Sequence, residues 1–406
     1  MLLNFGSDFL ETWQNPVENG RLFADMHAFD DTKHDKGKYV HVGPHLSLTG
    51  SNADQWVKVK PGSEAVLALA LARQLLGAGG VTGSDKSRLG DYLKPYSLDR
   101  AEKDTGVPSD TIRELAKAFG AAPSLALAGG TTVATTEGTR TQFAVNLLNL
   151  VAGNIGKTVV FGAARDIDPS TPYGEVLKVV ERMAAGDVDL LIVDGANPVY
   201  ALPASAKAGA ALGKVKQIVS LSSAWDETTA MAHLVLPGQS AMERWGDAYP
   251  QNGVYSLVQP VMAPIFPVKA AEDTLLSVAA TLGLKTFEAT PTYRDVVRAA
   301  WSKVQKDVAG VADFEAFWRE SLQRGGVFRN VSFSSSVRLN PAALESSPPQ
   351  AVNLAGEGLA LLPYPSLLHR DGRGASNPWL QEIPNPLTAV VWDSWADINP
   401  ETAKKL

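Results

Sequence analysis

The stretch Val188-Asp189-Leu190-Leu191-Ile192-Val193-Asp194-Gly195-Ala196-Asn197-Pro198 decides the fold. A run of branched apolar residues ends abruptly in Asp-Gly-Ala-Asn-Pro. The run shows little polar alternation, so it reads as a strand buried on both faces. The loop that follows is a turn with a mechanism. Gly195 lets backbone approach closely, Asn197 tolerates unusual dihedrals, and Pro198 stops the strand from continuing. In an open parallel sheet, loops at the carboxyl ends of strands line the ligand crevice.

The same device recurs along the chain. Residues 2–6 reach Gly6-Ser7-Asp8, and residues 38–42 reach Gly43-Pro44-His45. Residues 124–128 reach Gly129-Gly130-Thr131-Thr132, and residues 217–221 reach Ser222-Ser223-Ala224-Trp225-Asp226-Glu227-Thr228-Thr229. Helical patterns lie between them, at 64–76, 111–119, 139–151, 173–185 and 204–212, and a further one follows at 271–282. Strand, polar loop and helix in alternation predict an α/β fold with right-handed parallel sheets. Residues 81–104 read as polar and irregular and break the rhythm, which predicts two successive α/β units. The expected division is 1–120, then 121–285 with the Gly-x-Asn-Pro loop. Next come 286–357, two helices and a Ser/Pro-rich linker, and 358–406, the start of a truncated C-terminal β-barrel. The chain enters its first strand directly and stops in an uncapped helix, so both ends read as those of a fragment.

Length bounds the chain to two or three domains. The 406 residues are 45% apolar and 20% charged, which is ordinary globular usage. The net charge of −6 argues against nucleic acid or an anionic membrane as a partner. With no cysteine, the chain cannot hold a disulfide, a thiolate zinc site or a Cys-ligated iron–sulfur cluster. The most apolar run, 65–72, is far shorter than the roughly 20 residues that a bilayer needs. No direct membrane insertion is expected.

Gly153-Asn154-Ile155-Gly156-Lys157-Thr158 imitates a phosphate loop, but the leading glycine is missing and a helix precedes it, so a glycine C-cap is the better reading. The histidines, at 27, 34, 41, 45, 233 and 369, show no metal-ligand spacing. Asp226 and Glu227 are adjacent and cannot converge on one helix face; an N-cap role suits Asp226 better than catalysis. Glu243 and Asp247 read as solvated. No catalytic residue and no metal ligand is assigned. The candidate ligand-binding set is Gly6, Asp8, Gly130, Gly195, Asn197, Pro198, Ser222, Asp226, Glu227 and Thr228. Glycines and hydroxyls at strand ends suit phosphate or ribose groups of a nucleotide-like ligand. Plain turn chemistry would use the same residues.

The ordered set of motifs resembles the large subunit of molybdopterin oxidoreductases, the formate dehydrogenase and dimethyl sulfoxide reductase superfamily. Pro61-Gly62-Ser63-Glu64-Ala65 is similar to that family's P-G-[ST]-D-x-A. Gly153-Asn154-Ile155-Gly156 is similar to its G-N-x-G helix end, and Asp194 to Pro198 to its G-x-N-P loop. The segment 220–237 is similar to its E-T-A-x-x-A-D-x-V-L-P signature. The nearer likeness is to the molybdopterin-like iron–sulfur subunit of alternative complex III. It rests on Asp8-Phe9-Leu10-Glu11-Thr12-Trp13, Glu243-Arg244-Trp245-Gly246-Asp247 and Asn377-Pro378-Trp379-Leu380-Gln381-Glu382.

That resemblance implies a subunit of a quinol-oxidising electron-transfer complex. Its neighbours would be iron–sulfur modules, a multihaem cytochrome and quinol-binding membrane subunits, and the chain would be peripheral on the periplasmic side. It implies no cofactor in this chain and clusters only on other parts of the parent protein. Molybdopterin guanine dinucleotide is implied only if the family's binding is retained. Two departures bear on this. Gly43-Pro44-His45 stands where active relatives usually have Asp-Pro-Arg, and Asp8 replaces an Asn; an acid there repels a phosphate. The alternative is a genuine molybdopterin-dependent oxidoreductase of the formate dehydrogenase or polysulfide reductase type. A third reading, the related subunit of respiratory complex I, is disfavoured by the Trp-rich phrases at 241–247 and 377–382.

Overall fold

A computed structural model describes residues 1–32, 35–121, 123–161, 171–331, 339–345, 358–372 and 374–406. The chain divides into two compact units. One comprises Met1–Phe161, Ser334–Arg370 and Trp379–Leu406; the other comprises Gly162–Phe333 and Asp371–Pro378.

In the first unit, β1 (Leu2–Phe5), β2 (Tyr39–Val42), β3 (Gln55–Val57) and β4 (Leu125–Ala128) form a parallel sheet in the order β3-β2-β1-β4. The expected α/β class with parallel strands is what the chain adopts. The helix Glu64–Gln74 is buried from Glu64 through Ala72, as its nearly all-apolar sequence requires. Each leucine fully removed from water there contributes about 1.5–3 kcal/mol. Ser63 does not cap this helix; its hydroxyl donates to the Lys60 carbonyl at 2.6 Å.

Strand β4 was expected in the second α/β unit, yet it pairs with β1 from Leu2↔Leu125 to Phe5↔Ala128. Its outer edge is closed by a side chain. Asn149, buried on the helix Gly138–Ala152, accepts from Ala126 N at 2.9 Å and donates to Ala126 O at 2.8 Å. The amide thereby mimics a neighbouring strand. Gly153 ends that helix at φ +76°, the C-cap read from the sequence. The stretch read as irregular, 81–104, forms two helices, Gly83–Leu93 and Leu98–Thr105. The buried apolar anchors there, Val81, Leu89, Leu93, Tyr96 and the small Ala101, are too few to show through the polar background.

In the second unit, β5 (Leu190–Val193), β6 (Gln217–Ser220) and β7 (Leu234–Val235) form a parallel sheet in that order. The helices Tyr173–Ala185 and Ala208–Leu212 cover one face, with Val180, Met183, Leu212 and Ile218 at the centre. The strand read as buried on both faces is buried on one. Leu190 and Ile192 point to the uncovered side and are exposed. An antiparallel sheet follows, order β10-β9-β8, from β8 (Gly246–Gln251), β9 (Val254–Val258) and β10 (Gly326–Phe328). The helices Tyr293–Val304 and Phe314–Arg324 pack on it through Trp301, Phe317 and Trp318. Asp247 accepts from Trp301 Nε1 at 3.0 Å, so this acid, read as solvated, anchors a core indole.

Strand β10 and the short helix Pro341–Glu345 lie in what was read as a linker, of which 332–338 and 346–357 fall outside the described residues. The alternation across 358–398 yields no strand among the described residues, only an isolated bridge Ser366↔Arg370 and the short helix Pro378–Gln381. Pro363, Pro365, Pro378, Pro384 and Pro386 each remove a ladder donor there. No helix among the described residues is long and apolar enough to cross a membrane.

Candidate functional site

The candidate residues fall in two sets, one per unit. Gly6, Asp8 and Gly130 belong to the first unit, at the carboxyl ends of β1 and β4. Gly6 turns the chain at φ +70°, and a Cβ on it would stand 2.4 Å from Thr132 Cγ2. Thr132 is itself fixed: its hydroxyl donates to the Phe5 carbonyl at 2.6 Å and lies 2.9 Å from Gly129 O. Gly130, at φ +56°, leaves room for Gly6 O and for the carboxylate of Asp8. The glycines therefore admit the protein's own side chains.

Around them lies a polar cluster that sequence reasoning largely missed. Asp8 and Glu11 are both buried. Burial pushes the Asp8 carboxyl up to about 6; a hydrogen bond with Ser47 pulls it down, and the Glu11 charge pushes it up. Glu11 accepts from Thr49 N at 2.7 Å. Asn4 holds the turn by accepting from Ser7 N at 2.9 Å and Ser7 Oγ at 2.7 Å, and by donating to Ser7 O at 2.8 Å. Its amide nitrogen also lies 3.4 Å from Nδ1 of the buried His41. His41 Nε2 donates to the His45 carbonyl at 3.0 Å, and burial holds its pKa below the usual value. His45 stacks on Tyr364 at 4.2 Å and faces Asp397 at 3.7 Å. Trp395 Nε1 donates to the Tyr364 oxygen at 2.8 Å, and the Tyr364 hydroxyl donates to Asp397. Arg370 donates to the Glu11 carbonyl at 3.3 Å. The signals for this cluster were Glu11, within the quoted Asp8-to-Trp13 phrase, and His45, in the altered Gly-Pro-His turn.

In the second unit, Asn197, Glu227 and Thr228 do converge, joining the loops after β5 and β6. Asn197 Oδ1 accepts from the Thr228 hydroxyl at 2.7 Å, and Asn197 Nδ2 donates to Glu227 at 2.6 Å. Thr228 Oγ1 in turn accepts from Val199 N at 3.2 Å, just beyond Pro198. Asp226 accepts from Thr229 N at 2.7 Å, ahead of the short turn Thr229–Met231, whose N-cap position is held by Thr228 and not by Asp226. Ser222 stays within its own loop, donating to Ala224 O at 2.9 Å and accepting from Ala224 N at 3.2 Å. Gly195, at φ +60°, has open space where a Cβ would lie. A cleft of about 530 Å³ elsewhere in this unit, lined by Leu236, Val268, Val278 and Leu282, touches none of these residues.

These geometries meet several comparisons with known proteins. No family model matches the chain. It is 28% identical over 353 residues to the molybdopterin-binding-like subunit of menaquinone reductase from Nitratidesulfovibrio vulgaris (strain Hildenborough), covering 83% of this chain and 50% of that one. It is 31% identical over 109 residues to the molybdopterin-containing subunit of arsenate respiratory reductase from Shewanella sp. (strain ANA-3), covering 27% of this chain and 12% of that one. The solved structure of acetylene hydratase from Pelobacter acetylenicus matches with a TM-score of 0.53 at 15% identity, over 71% of this chain and 48% of that one. The chain is thus similar to subunits of the molybdopterin oxidoreductase superfamily, and its fold is that of a molybdopterin enzyme. It spans half the length, or less, of the curated relatives that it matches.

Likeness to molybdopterin oxidoreductases implies a pterin dinucleotide, and the loops can be tested for fit. Its pyrophosphate is anionic and asks for free N–H or O–H donors. The hydroxyls of Ser222 and Thr228 and one N–H of Asn197 are spent inside the protein. Asp194, Asp226 and Glu227 add three carboxylates, and no Lys or Arg occurs in 190–206 or 217–243. In the first unit, the buried Asp8 and the Thr132 methyl occupy the turn, with the buried Glu11 pressing its charge on Asp8. The residues present do not fit the group. Among the described residues, no three His, Asp or Glu gather into a metal-holding cluster.

Proposed function

We propose that this chain is a structural, pterin-free part of a molybdopterin-oxidoreductase-like subunit in a quinone-linked electron-transfer complex of the alternative complex III type. It would hold neighbouring iron–sulfur modules, a multihaem cytochrome and quinol-binding membrane subunits in place, as a peripheral component on the periplasmic side. The menaquinone reductase relative, itself named a molybdopterin-binding-like subunit, supports the quinone-linked setting. The observation that carries the scaffold reading is the filled carboxyl end of the first sheet. There Thr132 and Asp8 occupy the turn, and Tyr364 stacks on His45.

A second reading, a genuine molybdopterin-dependent oxidoreductase, is favoured by one feature. Gly195 keeps an open, left-handed turn at a strand end, where backbone could meet a ligand. One experiment separates the two. Native subunit, purified from its own organism, is assayed for molybdenum, for tungsten and for the fluorescent oxidation product of pterin. The scaffold reading expects all three far below one per chain. A stoichiometric pterin would overturn it and establish the second reading.

A further inference from the structure

The phrase Glu243-Arg244-Trp245-Gly246-Asp247 leaves one group uncommitted. Glu243 accepts from the Ser240 and Ile265 amides, each at 2.9 Å. Arg244 meets Glu272 at 3.2 Å, and Trp245 lies under the Arg294 guanidinium at 5.4 Å. Asp247 is exposed and gives one carboxylate oxygen to Trp301 Nε1 at 3.0 Å; the other has no hydrogen-bond partner among the described residues. That carboxylate stands at a cleft of about 350 Å³ whose walls include Tyr249, Pro250, Tyr255 and Trp301. The volume is that of a small-ligand site. The Tyr249 and Tyr255 rings stack with their centres 4.5 Å apart, and the Tyr249 hydroxyl donates to Asn252 at 2.8 Å, so the β8–β9 hairpin holds both rings in place.

Aromatic faces attract cations, and a carboxylate beside them fixes the sign of charge that fits. The neighbouring helices already show this with the protein's own residues. Arg298 lies 5.1 Å from the Phe314 ring centre and 5.2 Å from that of Trp318, and it pairs with Glu315. The cleft has the aromatic walls and the acid of that arrangement, yet no Lys or Arg lines it among the described residues. The charges farther out do not fill the role. Asp307 and Arg329 act on Tyr255 in opposite directions, and Arg244 is paired with Glu272. We propose that this cleft binds an organic cation of the alkylguanidinium or alkylammonium class, with its charge on the Asp247 carboxylate and its body against the tyrosine walls. A small-molecule amine and an Arg or Lys side chain of another protein share that chemistry. The inference is independent of cofactor content and holds whether or not a pterin is bound.

The probe is N-ethylguanidinium, and N-ethylurea, of the same shape without the charge, is its control. Each is titrated against the 406-residue chain and followed by ligand-observed NMR. The expected result is saturable binding of the guanidinium, about tenfold tighter than the urea and weaker as salt is raised. Asp247→Asn keeps an acceptor for Trp301 Nε1 and removes the charge. It should weaken binding by about three- to fivefold with circular dichroism unchanged. Tyr255→Leu should weaken it by about two- to fivefold, whereas Tyr255→Phe keeps the ring and should bind as the wild type does. If Tyr255→Leu fails to fold, Asp247→Asn and the salt dependence decide. An acetylated, amidated Gly-Arg-Gly peptide distinguishes the sources. Binding at least as tight as that of the guanidinium assigns the cleft to an arginine of another protein; its exclusion assigns the cleft to a small molecule. No saturable binding, equal binding of the urea, or binding unchanged in Asp247→Asn would each overturn the proposal.

Discussion

The Asp8 carboxylate oxygen Oδ2 lies 2.9 Å from the point where a Cβ on Gly130 would stand. A glycine that looks suited to a ligand is thus committed to a neighbouring acid. Gly130 also sits at φ +56°, and its missing Cβ would be 2.1 Å from Gly6 O. Gly130→Ala must therefore move backbone as well as adopt a strained conformation. It should cost about 2–4 kcal/mol and lower the first unit's melting temperature by roughly 5–15 °C. Thermal unfolding followed by circular dichroism checks this, and an unchanged Tm would mean that the turn is looser than described.

Asp8 gives a pH-dependent test. Its carboxyl is raised from 3.8 to about 6, chiefly by burial. The folded state therefore binds the proton more tightly than the unfolded chain does. Stability is greatest while Asp8 is protonated, falls as pH rises from about 4 to about 6, and is level beyond. Asp8→Asn cannot ionise. It should match the wild type near pH 4 and exceed it at pH 7.5 by up to about 3 kcal/mol. Urea melts at the two pH values measure the difference. A gain that is the same at both would rule out desolvation as its cause.

Glu64 should behave likewise for a different structural reason. It opens the buried helix Glu64–Gln74, its Oε2 has no partner among the described residues, and burial raises its carboxyl from 4.5 to about 7. Hydrogen bonds from its own N–H and that of Gly62 hold the shift back. The sign is the same: stability declines as pH climbs from about 4.5 to about 7. Glu64→Gln should therefore stabilise the first unit at pH 8 by on the order of 2–3 kcal/mol, with no gain near pH 4. Guanidinium melts at both pH values test it.

These sites show where the sequence was legible. Leu2–Phe5, Leu190–Val193 and Gln217–Ser220 were readable as strands because apolar runs ended in turn residues. The sheet to which β4 belongs was not readable, because its ladder with β1 joins residues more than 120 positions apart, while its other edge is met by Asn149, a polar side chain on the following helix. Apolar content alone also misjudged β5, since it reports what a face prefers and not whether a neighbour covers it. The polar cluster was partly legible. Asp8 and His45 stood out as departures from a familiar pattern, but Tyr364 and Asp397, over 300 residues away, carried no local signal. Contacts so distant are fixed by tertiary packing, which periodicity does not encode.

Asn197 tests the second unit. Its amide ties both loops, accepting from Thr228 and Tyr200 N while donating to Glu227. It also caps the short helix Pro198–Ala201. Asn197→Ala removes the cap and leaves Thr228 without its acceptor, a loss of about 1–2 kcal/mol confined to the loops. Amide exchange over 196–202 and 222–229 should then accelerate by roughly 5–30-fold, while the helix Glu64–Gln74 is unaffected. Glu227→Gln is the control. Its bond to Asn197 is exposed, so the loops should change by less than about 0.5 kcal/mol. If Glu227→Gln loosened the loops as much as Asn197→Ala, the charge of Glu227 and not the amide would be holding them together.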